Sequence, residues 1–113
     1  MKQITAIIQP HMLEKVEHAL HQLKHFPGCT VLRGKGESRG REPGHAYHAT
    51  EWDLDRREHA LLLIVSPDDL APLIAETNQR HAHTGLPGDG LITIMTVDEV
   101  VRIRSEEHGD SAL

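Results

Sequence analysis

The sequence predicts an α+β fold in which an antiparallel sheet carries two helices on one face, as a single domain over residues 1–113. Two observations point there. A short aliphatic run, an amphipathic helical stretch and a second β-type run occur twice, giving the order β-α-β then β-α-β. Between the halves the composition turns to glycine, proline and charge, which predicts a long flexible loop between the second and third strands, at about residues 36–58. Two βαβ units joined in this way make the split, ferredoxin-like βαββαβ pattern.

Ile4 to Ile8 is β-branched and aliphatic and is closed by Pro10, so it reads as a strand. Met12 to Lys24 follows as a helix, with Leu13, Val16, Ala19, Leu20 and Leu23 recurring at three and four. Pro27-Gly28 breaks the chain, and Cys29 to Leu32 forms a short second strand. From Gly34 to Arg57 the chain has almost no periodic apolar residues. A loop of roughly 20 residues inside a compact domain is usually functional or disordered. Ala60 to Val65 is a continuous aliphatic run, as in a buried strand. Ser66-Pro67-Asp68-Asp69 offers a helix start, with Ser66 or Asp68 as cap and Pro67 pre-setting the first turn. Leu70, Leu73, Ile74 and Thr77 supply the apolar face of that second helix. The stretch Thr84-Gly85-Leu86-Pro87-Gly88-Asp89-Gly90 ends it in a glycine-rich turn, and Leu91 to Val97 forms the last strand. Val100 to Arg104 then alternates apolar residues with arginine, in a strand-like manner.

The chain is mildly acidic, with a formal net charge of −5, and it has no basic stretch. That argues against nucleic acid, whose binding needs clustered Lys and Arg. The one cysteine, Cys29, cannot form an internal disulfide. No apolar run approaches the roughly 20 residues that cross a bilayer, and the first residues lack a signal-peptide layout. A cytoplasmic location without direct membrane insertion is the expectation. Aromatic residues are scarce, being only Phe26, Tyr47 and Trp52, so aliphatic packing must carry the core.

Two segments suit an anion. Gly88 and Gly90 flank Asp89, and small residues let backbone N–H groups approach closely. Arg102 and Arg104 alternate, so on a strand they would point the same way and present two guanidiniums to a polyphosphate. No nucleophile–base pair or pair of carboxylates suggests an enzyme.

Several segments together resemble the PII nitrogen-regulatory signal-transduction family. They are Met1 to Pro10, Leu13-Glu14-Lys15-Val16, Gly28-Cys29-Thr30-Val31, Gly34-Lys35-Gly36, Thr84 to Gly90, and Val101-Arg102-Ile103-Arg104-Ser105. The resemblance runs from end to end except through the long loop. It implies a homotrimer that binds an adenine nucleotide (ADP, AMP or ATP) between subunits. It places Thr84, Gly88, Asp89, Gly90, Arg102 and Arg104 on the phosphates, and Thr30, Gly34, Lys35 and Gly36 toward the adenine. The long loop would report to a partner protein, such as a membrane transporter, an efflux pump or an enzyme. The chain also departs from the family pattern. Leu91 and His59 stand where relatives carry lysines, and Gly36-Glu37-Ser38-Arg39-Gly40 lacks the expected glutamine. Loss of two lysines lowers the positive charge that a polyphosphate would meet. A response to 2-oxoglutarate is therefore not implied, nor is nucleotidylylation of Tyr47, whose neighbours differ. In the loop, Trp52 between Glu51 and Asp53 is a candidate partner contact.

Ten histidines support a second reading, a metal-responsive regulator of the same family. His45 and His48 in the loop are the candidate ligands for a divalent metal. His18, His21 and His25 share a helix face at spacings of three and four, and His81 and His83 close the second helix.

Overall fold

A computed structural model of the chain describes residues 1–36 and 57–113, with the backbone alone at Arg57. The elements are β1 (Lys2–Ile8), a 3-10 turn at Pro10–Met12, α1 (Leu13–His21), β2 (Thr30–Gly36), β3 (Arg57–Ser66), α2 (Ala71–Ala82), β4 (Gly90–Thr96) and a closing 3-10 turn at Gly109–Ala112. The strands form one sheet in the order β2-β3-β1-β4, and every neighbouring pair is antiparallel. This is the α+β, ferredoxin-like arrangement expected.

Alternation along the strands decides which face is covered. Ile4, Ala6 and Ile8 of β1 lie opposite Ile64, Leu62 and Ala60 of β3, and all six are buried. Val16 and Leu20 from α1, with Ala71, Ile74 and Ala82 from α2, close over them. Leu13, Leu23, Phe26 and Cys29 pack around that cluster. The core is almost wholly aliphatic, as the shortage of aromatics requires. Among the described residues no helix covers the other face of the sheet. That face presents Thr5, Ile7, Leu61 and Leu63, which are half-buried, with Leu32, Leu91 and Met95 exposed toward its edges.

Local details differ from the sequence reading, each for a physical reason. α1 ends at His21 instead of Lys24. Beyond it, Gln22, Leu23 and Phe26 each bond to the carbonyl three residues back, and His25 takes a positive φ of 63°. β2 runs on to Gly36, because Gly34, Lys35 and Gly36 pair with His59, Glu58 and Arg57. Glycine has little strand preference of its own, so ladder pairing supplies what local sequence does not. The expected helix cap at Ser66 or Asp68 is not used. Leu70 occupies the cap position without a side-chain bond, and Pro72, not Pro67, lies in the first turn. Ser66 is instead the buried last residue of β3, donating its hydroxyl to the Pro67 carbonyl at 3.1 Å. Asp68 faces the Met1 amino nitrogen at 2.6 Å, and that contact holds its carboxyl below the usual range. Residues 100–104 do not form a strand. One bridge joins Val101 to His108, and the Arg102 amide donates to the Glu107 carbonyl across a tight turn.

Candidate functional site

The turn between α2 and β4 is built around a carboxylate. α2 stops at Ala82, and His83 turns extended. Asp89 then reaches back across the loop. Its carboxylate accepts the Thr84 amide at 2.9 Å, the Gly85 amide at 3.0 Å and the Thr84 hydroxyl. The Thr84 oxygen in turn accepts the Leu86 amide at 3.2 Å. The Thr84 hydroxyl bond is the main reason the Asp89 carboxyl lies below its ordinary pKa. The two amides and nearby His83, whose Nδ1 is 3.6 Å away, act in the same direction, and burial opposes them. Gly85, Gly88 and Gly90 all hold positive φ, at 81°, 87° and 100°. At Gly90 the constraint is also steric, since a Cβ would sit 1.7 Å from the Ile7 carbonyl oxygen.

Beside this turn lies a cleft of about 360 Å³, lined by Ile7, Ile8, Gln79, His83, Asp89 and Leu91 among others. Of the residues expected on the phosphates, Asp89 and Gly90 line this cleft, and Thr84 and Gly88 belong to the adjoining turn; Ile7, Ile8, Gln79, Ala82, His83 and Ile92 were not singled out for the site from sequence. His83 carried a positional signal, being next to Thr84. Ile7 and Gln79 carried none, because they arrive from β1 and α2 and only the packing brings them to the turn.

The second expected segment lies elsewhere in the same chain. Strand registers place Arg33, Ala60, Ile8 and Gly90 in one row across the sheet. Gly34, Lys35 and Gly36 continue β2 just past that row. They share an end of the sheet with the turn but occupy the opposite edge, three strand spacings or about 14 Å away. Thr30 is exposed at the other end of β2. Gly34 has ordinary φ, and a Cβ there would meet only Leu61 Cδ1, at 3.7 Å. At Gly36 a Cβ would press on His59 Nδ1 at 3.0 Å.

The two arginines correct an expectation. They do not alternate along a strand, because Arg104 sits in the tight turn. The Arg102 Nε donates to the Ala112 carbonyl at 2.7 Å, which ties the C-terminal turn to this loop. Both side chains are exposed. Between them, Ile103 is 94% exposed.

Among the described residues no three His, Cys, Asp or Glu side chains gather as a metal site. The helix trio is divided. His18 lines a groove between α1 and α2, His21 meets Phe26 edge-on at 5.4 Å, and His25 sits in the turn beyond. His45 and His48 lie outside the described residues, as do Glu37, Ser38, Arg39, Tyr47, Glu51, Trp52 and Asp53. Burial, with Glu17 adding to it, raises the Cys29 thiol above its normal pKa, which does not suit a nucleophile.

No helix among the described residues is long and apolar enough to cross a membrane. Comparison with known proteins gives a consistent result. The family model described as Nitrogen regulatory protein P-II matches residues 1–107. A nitrogen regulatory protein P-II of Azospirillum brasilense is 41% identical, one of Rhodospirillum rubrum 37%, and nitrogen regulatory protein P-II 1 of Escherichia coli 39%. Each match covers the whole of both chains. With the split βαβ sheet and the glycine-rich turn in place, these matches show that the chain belongs to the P-II nitrogen regulatory protein family of signal-transduction proteins.

Proposed function

We propose that the protein works as a homotrimeric regulator that binds an adenine nucleotide between subunits and controls a partner protein through the segment between β2 and β3. One observation carries this reading. The glycine-rich turn and the Gly34–Gly36 segment stand at the same end of one sheet but on opposite edges. Within a chain they lie on opposite edges with β3 and β1 between them, so they do not face one ligand together. Between copies, the edge bearing β4 can meet the edge bearing β2, and Arg102 and Arg104 can reach across on their projecting turn. The unprotected apolar side chains suit such contacts. Leu32, Leu91, Met95 and Ile103 are all exposed in the single chain, on the uncovered sheet face or on that turn. Large exposed apolar surface marks interaction sites.

In the assembled site the free backbone amides around Gly88 and the guanidiniums of Arg102 and Arg104 take the phosphates, while Gly34 to Gly36 lets the adenine approach β2 closely. The partner, a transporter or an enzyme, is engaged by the intervening segment. The protein regulates by occupancy and carries out no chemistry.

Light scattering and titration calorimetry test this together. The expected result is a trimer mass that binds adenine nucleotide near micromolar affinity, weakened by Arg102→Ala. A monomer with no nucleotide affinity, but with tight zinc or copper binding lost on changing His45 and His48, would replace it with the metal-responsive reading.

A further inference from the structure

We propose that the groove between α1 and α2 is a second partner-binding surface, one that takes an acidic peptide segment carrying an aliphatic anchor. The two helices pack against each other over the covered face of the sheet and leave between them an open groove of about 850 Å³. Its floor is recessed. Ala19 of α1 is half-buried and Thr77 of α2 is buried, whereas Lys15, His18 and Arg80 on the rims are exposed. The polar groups of Thr77 are already engaged. Its hydroxyl donates to the Leu73 carbonyl at 2.7 Å, and its carbonyl lies 2.9 Å from the His81 Nδ1. Leu73 lines the same groove and is 44% exposed, so it offers apolar surface to a matching side chain.

Charge selects the occupant. The chain as a whole is acidic, with a formal net charge of −5, yet basic side chains converge here from both helices. Lys15 and His18 come from α1, Arg80 and His81 from α2, and Glu14 is the one carboxylate among the described lining residues. Glu76, outside the lining, pairs with Arg80 and takes up part of its charge. Lys15 makes no ion pair among the described residues. A cation without a counter-ion, beside two imidazoles and an apolar floor, matches negative charge next to an aliphatic side chain. Depth decides between a peptide and an anionic membrane. A narrow segment can enter between the rims, as amphipathic helices enter grooves, while a flat bilayer would rest on the rims and leave Ala19 and Thr77 uncovered. The groove lies on the opposite face of the sheet from Leu91 and Met95, so association of copies through the uncovered face leaves it open.

Fluorescence anisotropy on the full chain tests this with a labelled synthetic helix-forming peptide that carries leucines along one face and glutamates on either side of them. Two control peptides replace the glutamates with lysine or the leucines with serine. The acidic peptide should bind saturably, and about tenfold or more tightly than either control. Lys15→Glu and Leu73→Ser should each weaken it about tenfold, whereas Lys15→Arg should not. Lys15 and Leu73 are exposed, so circular dichroism should stay unchanged in all three variants. Amide shifts on adding the peptide should centre on Ala19 and Thr77. The proposal is overturned if the acidic peptide does not bind, if the lysine peptide binds as well, or if Lys15→Glu leaves binding unchanged. It is also overturned if the protein ignores the peptide and pellets with phosphatidylserine vesicles, which would make this face a membrane contact. None of these readouts involves nucleotide, so a failure here is distinct from a failure of the nucleotide-binding reading above.

Discussion

Gly90 and Gly34 belong to the same predicted site, yet their backbones make opposite demands. Gly90 combines a φ of 100° with a Cβ position inside the Ile7 carbonyl. Gly90→Ala should therefore destabilise the fold by about 2–4 kcal/mol in urea unfolding, since both strain and overlap must be relieved. Gly34→Ala meets only Leu61 at ordinary contact distance and should change stability by less than about 0.5 kcal/mol. If it nonetheless weakens nucleotide binding, the glycine is there for the ligand. Asp89 makes a further prediction through pH. Its folded pKa is depressed, so it contributes stability above its unfolded value, near 3.9, and loses that contribution as pH falls through the folded value. The stability gap between the unaltered protein and Asp89→Ala should thus be constant from neutral pH to about pH 5 and narrow below about pH 4. A gap that persists at pH 2 would mean that the carboxylate's charge is not what closes the turn. Asp89 was legible as a residue of the candidate site. Its role as the internal anion of the turn was not, because the Thr84 and Gly85 amides face it only once the loop has closed.

At the level of elements, both helices depend on packing more than on their ends. Neither has a side-chain cap, so their positions are set by Leu20 and Ile74 against the sheet. Leu20→Ala should cost about 2–5 kcal/mol, as for other fully buried leucines. Asn78 behaves differently. It is fully buried on α2, its Nδ2 donates to the Ile74 carbonyl at 2.9 Å, and its Oδ1 has no partner among the described residues. Replacing a buried, half-satisfied amide with an apolar group of similar shape removes a desolvation cost. Asn78→Leu should be neutral or stabilising by roughly 1 kcal/mol, and thermal melts of the two variants should move in opposite directions. A clear loss of stability in Asn78→Leu would show that Oδ1 is engaged by an internal water. The start of α2 is likewise set by packing and pairing, not by a cap. Ser66-Pro67-Asp68 has the right chemistry for a helix start, but β3 needed one more residue to pair with Lys2, and the helix began five residues later.

Among the described residues the sheet has one face covered by helices and one face uncovered. Exposed apolar sheet surface marks an interaction site, and the proposed occupant is a second copy of the chain. Met95 lies on β4, 58% exposed in the single chain, so a charge there should spare the folded subunit. Met95→Asp is expected to keep its circular dichroism while its mass by light scattering falls from trimer toward monomer. Nucleotide affinity should fall with it, by about tenfold or more, because the two halves of the site then lie on separate molecules. A monomeric variant that binds nucleotide normally would place the site within one chain after all.

The periodicities determined most of the architecture directly. Apolar residues at three and four in Leu13 to Leu23, and the unbroken run Ala60 to Val65, permit little else once the order β-α-β is repeated. The short motifs determined the family for a similar reason, since glycines at positive φ tolerate few substitutes. Tertiary structure decided what depends on distance. It extended β2 through Gly36 by pairing with β3, and it turned Arg102 toward the Ala112 carbonyl instead of along a strand. It also set the turn and the Gly34–Gly36 segment at opposite sheet edges. Local sequence encodes the preferences of neighbouring residues. Strand order, register and the separation of two edges arise only when remote segments compete for the same hydrogen bonds and the same core.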